Sequence, residues 1–151
     1  MSEITESKGT VNIREMSVED VEGILDIERE VRGSNRSVTY APVPDSCIGG
    51  EVDSSIVAEE NGRIVGFVLG RVVRSPVELS DIAWIELIGV LPGYHRRGIG
   101  KRMLEAWKDR CRQKGIRKVH IMINWRDWWM LSFFESLGFS RGDLVDFLAE
   151  L

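Results

Sequence analysis

Val11-Asn12-Ile13-Arg14-Glu15 alternates apolar and polar positions, the period of a strand with one buried face. The pattern then changes. Ser17 precedes Val18-Glu19-Asp20, a capping box with Asp in the acid's place, and Val21, Ile24, Leu25 and Ile27 line one face of a helix that fades near Arg32-Gly33. Ser55 to Glu60 and Arg63 to Arg74, the latter with Val65, Phe67, Leu69 and Val72, read as strands. Asn61-Gly62 between them predicts a tight hairpin turn. Asp81 to Leu91 is another apolar run, interrupted by Glu86 and ended by Pro92-Gly93. Gly98 opens a helix to Lys114, with Ile99, Met103, Leu104, Trp107 and Cys111 near helical spacing and Gly115 as its stop. Lys118 to Asn124 predicts a strand, and Asp127 is the N-cap of a helix through Leu137 that Gly138 closes. Leu144 to Leu151 is expected to form a last strand, although its period is poor.

Gly33 to Asp53 holds Pro42, Pro44, Gly49 and Gly50 and few apolar residues. A short helix over Ser34 to Thr39 is one reading; otherwise this is a long loop, expected to cover part of a binding site. Residues 1–10 are polar and expected to be flexible, leaving 11–151 as a single domain. The order β-α-(α)-β-β-β-α-β-α-β places hairpin-linked strands before a β-α-β unit. That order predicts an α/β (α+β) fold, a mixed sheet with helices on both faces.

Composition narrows the function. The 151 residues are 43% hydrophobic and 29% charged, ordinary globular usage. A net charge of −4 argues against nucleic acid as a partner, which calls for a basic surface. Cys47 and Cys111 form no framework, and with His95 and His120 they are too few for a structural zinc site, so no metal is expected. No apolar run has the length of a membrane span and the start lacks a leader pattern, so the expectation is a cytoplasmic protein without membrane attachment.

The chemistry gathers in Ile85-Glu86-Leu87-Ile88-Gly89-Val90-Leu91-Pro92-Gly93-Tyr94-His95-Arg96-Arg97-Gly98-Ile99-Gly100-Lys101, which runs strand, turn, helix. Glycines at a helix start let a ligand approach the backbone, and the free N–H groups and positive dipole end there suit a pyrophosphate. Arg96, Arg97 and Lys101 add charge. A Walker loop fits worse, because Gly98 is followed by Ile99 rather than Lys, and a dinucleotide fingerprint fails at Met103. A helix start with packing glycines and solvated arginines is the alternative reading.

The segment resembles the acetyl-CoA motif of the GNAT acetyltransferase superfamily, [Q/R]-x-x-G-x-[G/A] after a strand ending Val-x-Pro. Here these are His95-Arg96-Arg97-Gly98-Ile99-Gly100 and Val90-Leu91-Pro92, and Phe134-Glu135-Ser136-Leu137-Gly138-Phe139 matches the family's Tyr-Glu-x-Leu-Gly-Phe tail. The resemblance implies acetyl-CoA as cosubstrate. The backbone of Ile88, Gly89 and Val90 would pair with the pantetheine arm, and N–H groups from Arg96 through Lys101 would hold the pyrophosphate. The strand from Lys118 would splay from the one ending at Val90, whose N–H would steady the thioester carbonyl. Asp127 and Phe134 stand at further cofactor positions. Homodimers are frequent among similar proteins.

Three departures qualify the resemblance. His95 replaces Gln or Arg, Phe134 replaces the tyrosine that is the family's usual general acid, and Asp127 replaces an Asn, with helix capping as its other role. Relatives that acetylate protein N-termini usually carry a Glu on the strand after the motif helix, where this chain has Met122, which speaks against that branch. Glu86 resembles instead the base of several polyamine-type and histone-type enzymes. Set among Ala83, Trp84, Ile85, Leu87 and Ile88, it is expected to be a buried proton acceptor, with an ion-paired, half-exposed carboxylate as the alternative. The expected activity is N-acetyl transfer to a primary amine, small or on a protein, with a non-catalytic acyl-CoA-binding regulatory module as the alternative. Trp125, Trp128, Trp129, Phe133 and Phe134 read first as core and second as an acceptor pocket, and Tyr40, His120 and Asn124 are further acceptor-side candidates.

Overall fold

The computed structural model describes residues 9–32, 55–75 and 77–151. The expectations placed on residues 1–8, on Ser34 to Thr39 and the rest of that loop, and on Tyr40 and Cys47 lie outside the described residues. The chain divides into two compact units after Ile121.

The first unit is a five-stranded sheet in the order β1-β2-β3-β4-β5: Asn12–Glu15, Ile56–Glu60, Arg63–Arg74, Asp81–Val90 and Val119–Ile121. The first four strands are antiparallel neighbours, and β5 joins β4 in parallel. Local chemistry sets the connections. The turn between β2 and β3 puts Asn61 and Gly62 at φ 51° and 77°, the left-handed pair of a type I′ hairpin. Asp20 accepts hydrogen bonds from the Ser17 N–H at 2.8 Å and its hydroxyl at 3.3 Å, fixing the entry to helix α1 (Val21–Arg32).

Two helices cover opposite faces of this sheet. Ile27 of α1 reaches the Phe67–Gly89 row, and Gly23 lies so close to Ile64 that a Cβ there would be 2.9 Å from it. Helix α2 (Ile99–Gln113) packs Met103 against Gly66 and Trp107 against Gly70, which alternation puts on the other face. Its five expected apolar positions, Ile99, Met103, Leu104, Trp107 and Cys111, are all buried. Each large side chain so buried contributes about 1.5–3 kcal/mol. Burial also pushes the Cys111 thiol up to about 11.

The sheet departs from expectation at β5, which ends at Ile121 rather than Asn124. The Asn124 side chain accepts from the Arg126 N–H at 3.0 Å and its carbonyl accepts from Asp127 N–H at 2.8 Å, so the chain turns there instead of extending.

The second unit holds α3 (Trp128–Ser136), with Asp127 Oδ1 accepting from the Met130 N–H at 3.1 Å. Phe134 is buried and meets Phe133 and Phe139 edge-on. The expectation of a tryptophan core is corrected: Trp125, Trp128 and Trp129 are 75%, 73% and 47% exposed. A short helix apolar on nearly every side has no polar face to turn outward, so some rings meet solvent. The expected last strand is also absent. Leu144 and Val145, then Phe147 and Leu148, are adjacent pairs that no single strand face can collect, and all four are exposed.

Candidate active site

The site is built on β4. Its pairing with β5 covers only Ala83 to Ile85, while its pairing with β3 continues to Val90. Leu91 N–H donates to Val65 O at 2.9 Å, toward β3. Backbone groups of a strand alternate in direction, so Ile88 and Val90 aim their N–H and C=O at the opposite edge, where β5 has stopped. Gly89 aims its own toward β3. His95 Nε2–H donates to Val90 O at 3.0 Å; a carbonyl only accepts, so this nitrogen carries the proton. The remaining groups at this edge, Val90 N–H and both backbone groups of Ile88, can pair with an extended amide chain.

Beyond the edge the chain turns into α2. Arg96 and Gly98 have φ of 63° and 72°, a left-handed conformation that Gly98 adopts without the steric cost Arg96 bears. The first backbone bond of α2 runs from Arg102 N–H to Gly98 O at 3.0 Å, and Gly98 brings no side-chain cap. The N–H groups of Ile99, Gly100 and Lys101 therefore have no helical acceptor. With exposed Arg96 and Lys101 beside them they suit a pyrophosphate.

Arg97 has another task. Its guanidinium pairs with Glu60 at 2.8 Å and lies over the Tyr94 ring at 4.9 Å. The hydrogen bond from Arg97 holds the Glu60 carboxylate below its usual range, and Glu60 raises the Tyr94 phenol in turn. This cluster anchors the turn to the β2–β3 hairpin, leaving the Arg97 main chain as its part of an anion site.

Glu86 sits at an irregularity. Leu69 pairs with Leu87 and Gly70 with Ile85, so Glu86 is the extra residue of a β-bulge. Its side chain is 22% exposed, and its carboxylate lies 2.5 Å from Arg71 Nε. Burial among apolar groups alone is thus corrected: the carboxylate is ion-paired on the sheet face. Arg71, Trp84 and His120 form one row of register partners across β3, β4 and β5, and the Trp84 and His120 rings stack at 5.6 Å.

Of the expected site residues, Glu86, Ile88 to Val90 and His95 to Lys101 are contiguous in the first unit, and His120 joins Glu86's face. Asp127 caps α3 and Phe134 is buried in the second unit. Met122 and Asn124 lie past the end of β5. Sequence reasoning missed Arg71, Glu60 and Tyr94. Arg71 left a signal, since it follows Val65, Phe67 and Leu69 at an apolar-face position. Glu60 left none, its partner being 37 residues away.

The "Acetyltransferase (GNAT) family" model matches residues 21–139. The [ribosomal protein bS18]-alanine N-acetyltransferase of Escherichia coli is 27% identical over 85 residues, covering 56% of this chain and 53% of that protein. The mycothiol acetyltransferase of Renibacterium salmoninarum is 25% identical over 88 residues, 58% of this chain and 26% of that protein. The chain thus spans about half, or about a quarter, of these relatives' length. Among solved structures, aminoglycoside N-acetyltransferase AAC(6')-Iy in complex with CoA superposes with a TM-score of 0.79 at 19% identity, covering 97% of this chain and 99% of that one. The E. coli ribosomal-protein-S18-alanine N-acetyltransferase gives 0.72 at 21% identity, covering 88% and 79%.

Proposed function

The chain belongs to the GNAT acetyltransferase family, and on that premise we propose that it is an acetyl-CoA-dependent N-acetyltransferase in which Glu86 is the general base for a primary amine. One observation carries this reading. The open edge of β4 at Ile88 and Val90 leads directly into a helix start with free N–H groups, and Glu86 stands where that edge begins.

The residues present fit the cosubstrate. Ile88 and Val90 would hold the amide arm, and the turn from Arg96 to Lys101 the pyrophosphate. Acetyl-CoA, when bound, would supply an acetyl thioester: the amine nitrogen would bond to its carbonyl carbon as the C–S bond breaks, and CoA would leave as the thiolate, taking up the proton that the new amide nitrogen sheds. Glu86 takes a proton from the amine, which is mostly protonated near neutral pH. Val90 N–H, fixed by the strand, is a preorganised donor for a carbonyl oxygen. His95 keeps the Val90 peptide in place through its carbonyl. Phe134 has no proton to give at the position where the family usually has tyrosine, and Tyr94, the one tyrosine among the described residues, is engaged by Glu60.

Phe134 also favours a second reading, an acyl-CoA-binding regulatory module without turnover. Calorimetric titration with acetyl-CoA, CoA and ATP, followed by thiol release over an amine panel, separates the two. Binding near −8 kcal/mol, roughly micromolar, confined to CoA species together with thiol release supports the enzyme. Binding without release leaves the module, and preference for ATP ends both readings.

A further inference from the structure

Arg71 and Glu86 stand side by side on the sheet face at the start of the open β4 edge. Arg71 uses Nε for this pair, at 2.5 Å, and its side chain is 47% exposed. Glu86 is its one ion-pair partner among the described residues, met most closely through Nε. A guanidinium engaged through Nε can accept a second carboxylate on its Nη fork in bidentate fashion. The register row adds Trp84 opposite Arg71, with His120 stacked on Trp84 at an interplanar angle of 13°.

We infer that the acceptor carries a carboxylate beside its amine, as an α-amino acid does, with Arg71 binding that carboxylate through Nη. The inference rests on the acetyltransferase reading and deepens it. The acceptor's amine faces Glu86, so one opposite-charge pair meets another. The Trp84–His120 stack is the flat surface beside them, suited to an apolar side chain. A diamine fits this floor poorly, because its second ammonium group would meet the Arg71 cation. Local charge here outweighs the net acidity of the whole chain, which by itself would favour a purely cationic acceptor. A phosphate in place of the carboxylate would bring nearly two charges close to Glu86, so the single charge of a carboxylate is the better match.

The test is thiol release from acetyl-CoA with the common amino acids, their carboxamides and the matching decarboxylated amines. Acetyl-CoA binding is first established by calorimetry. The free acids are expected to exceed their amides and amines by at least about tenfold in kcat/KM. In Arg71→Lys and Arg71→Gln that ratio should fall toward one, chiefly through KM for the acids; a merely structural role would lower all three classes alike. Amides or amines turned over as well as the acids by the unaltered protein would overturn this inference and leave the acetyltransferase reading standing. Bound acetyl-CoA with no transfer to any of the three classes would overturn this inference alone, since an amine on a protein would remain as acceptor, whereas absence of acetyl-CoA binding would overturn both.

Discussion

The Ser55 hydroxyl bonds both backbone groups of Gly70: the Gly70 N–H donates to Oγ at 3.2 Å, and Oγ–H donates to the Gly70 carbonyl at 3.3 Å. The β2 ladder begins only at Ile56, so one buried side chain substitutes for a strand residue just where β3 faces the Glu86 bulge. Ser55→Ala would leave two buried backbone groups unpaired. A loss of about 1–3 kcal/mol is expected in urea unfolding. The bulge should loosen with it, so kcat should fall further than cosubstrate affinity. Unchanged stability would mean that water replaces the hydroxyl.

Gly70 is constrained from the other side as well. A Cβ there would lie 2.6 Å from Trp107 Nε1 and within 2.9 Å of two ring carbons, and Trp107 is fully buried. Gly70→Ala should cost about 1–3 kcal/mol through overpacking. Trp107→Leu opens a cavity and is costly alone, yet combined with Gly70→Ala it should cost less than the sum of the two. Additive losses in the double-mutant cycle would show that the ring and residue 70 do not compete for space.

These supports explain what the sequence made legible. Contacts between near neighbours were readable: the Asn61-Gly62 turn, the five buried positions of α2 and the 95–100 turn each follow from a short string of residues. Arg97 with Glu60, Arg71 with Glu86 and Ser55 with Gly70 join different elements. Their pairing depends on register, and in the Glu86 case on a bulge that alternation alone does not reveal. The aromatic run at 125–134 misled because spacing describes which residues share a face, not whether anything covers it.

Glu86→Gln keeps the shape of the side chain and removes the proton acceptor. If Glu86 is the base, kcat should fall by roughly a hundredfold to ten-thousandfold while the acetyl-CoA Kd stays within about twofold. An undiminished rate in a stopped assay of thiol release would remove Glu86 from the mechanism.

The Glu60–Arg97 pair predicts a coupling in cosubstrate binding. Both side chains hold the turn that presents the α2 N–H groups, and preorganisation of that turn lowers the cost of binding. Glu60→Gln and Arg97→Gln are each expected to weaken acetyl-CoA by about fivefold in calorimetry, and the double variant by no more than either alone. Multiplying losses would instead indicate that Arg97 meets the ligand directly through its side chain.

Asp20 predicts an acid-sensitive contribution to stability. Burial opposes its ionisation, but Arg14 donates to both carboxylate oxygens at 2.8 Å and the Ser17 N–H adds a third bond. The net effect holds Asp20 below the ordinary carboxylate range. A carboxylate lowered in the folded state adds stability that is fully present above its unfolded value, about 3.9, and is lost as pH falls through the lower folded value. Asp20→Asn should therefore cost about 1.5–3 kcal/mol at pH 7, measured by urea unfolding. The gap between variant and parent should narrow steadily below about pH 4. A gap of constant size from pH 7 down to pH 2 would mean that Asp20 acts through shape and neutral hydrogen bonds, with no contribution from its charge.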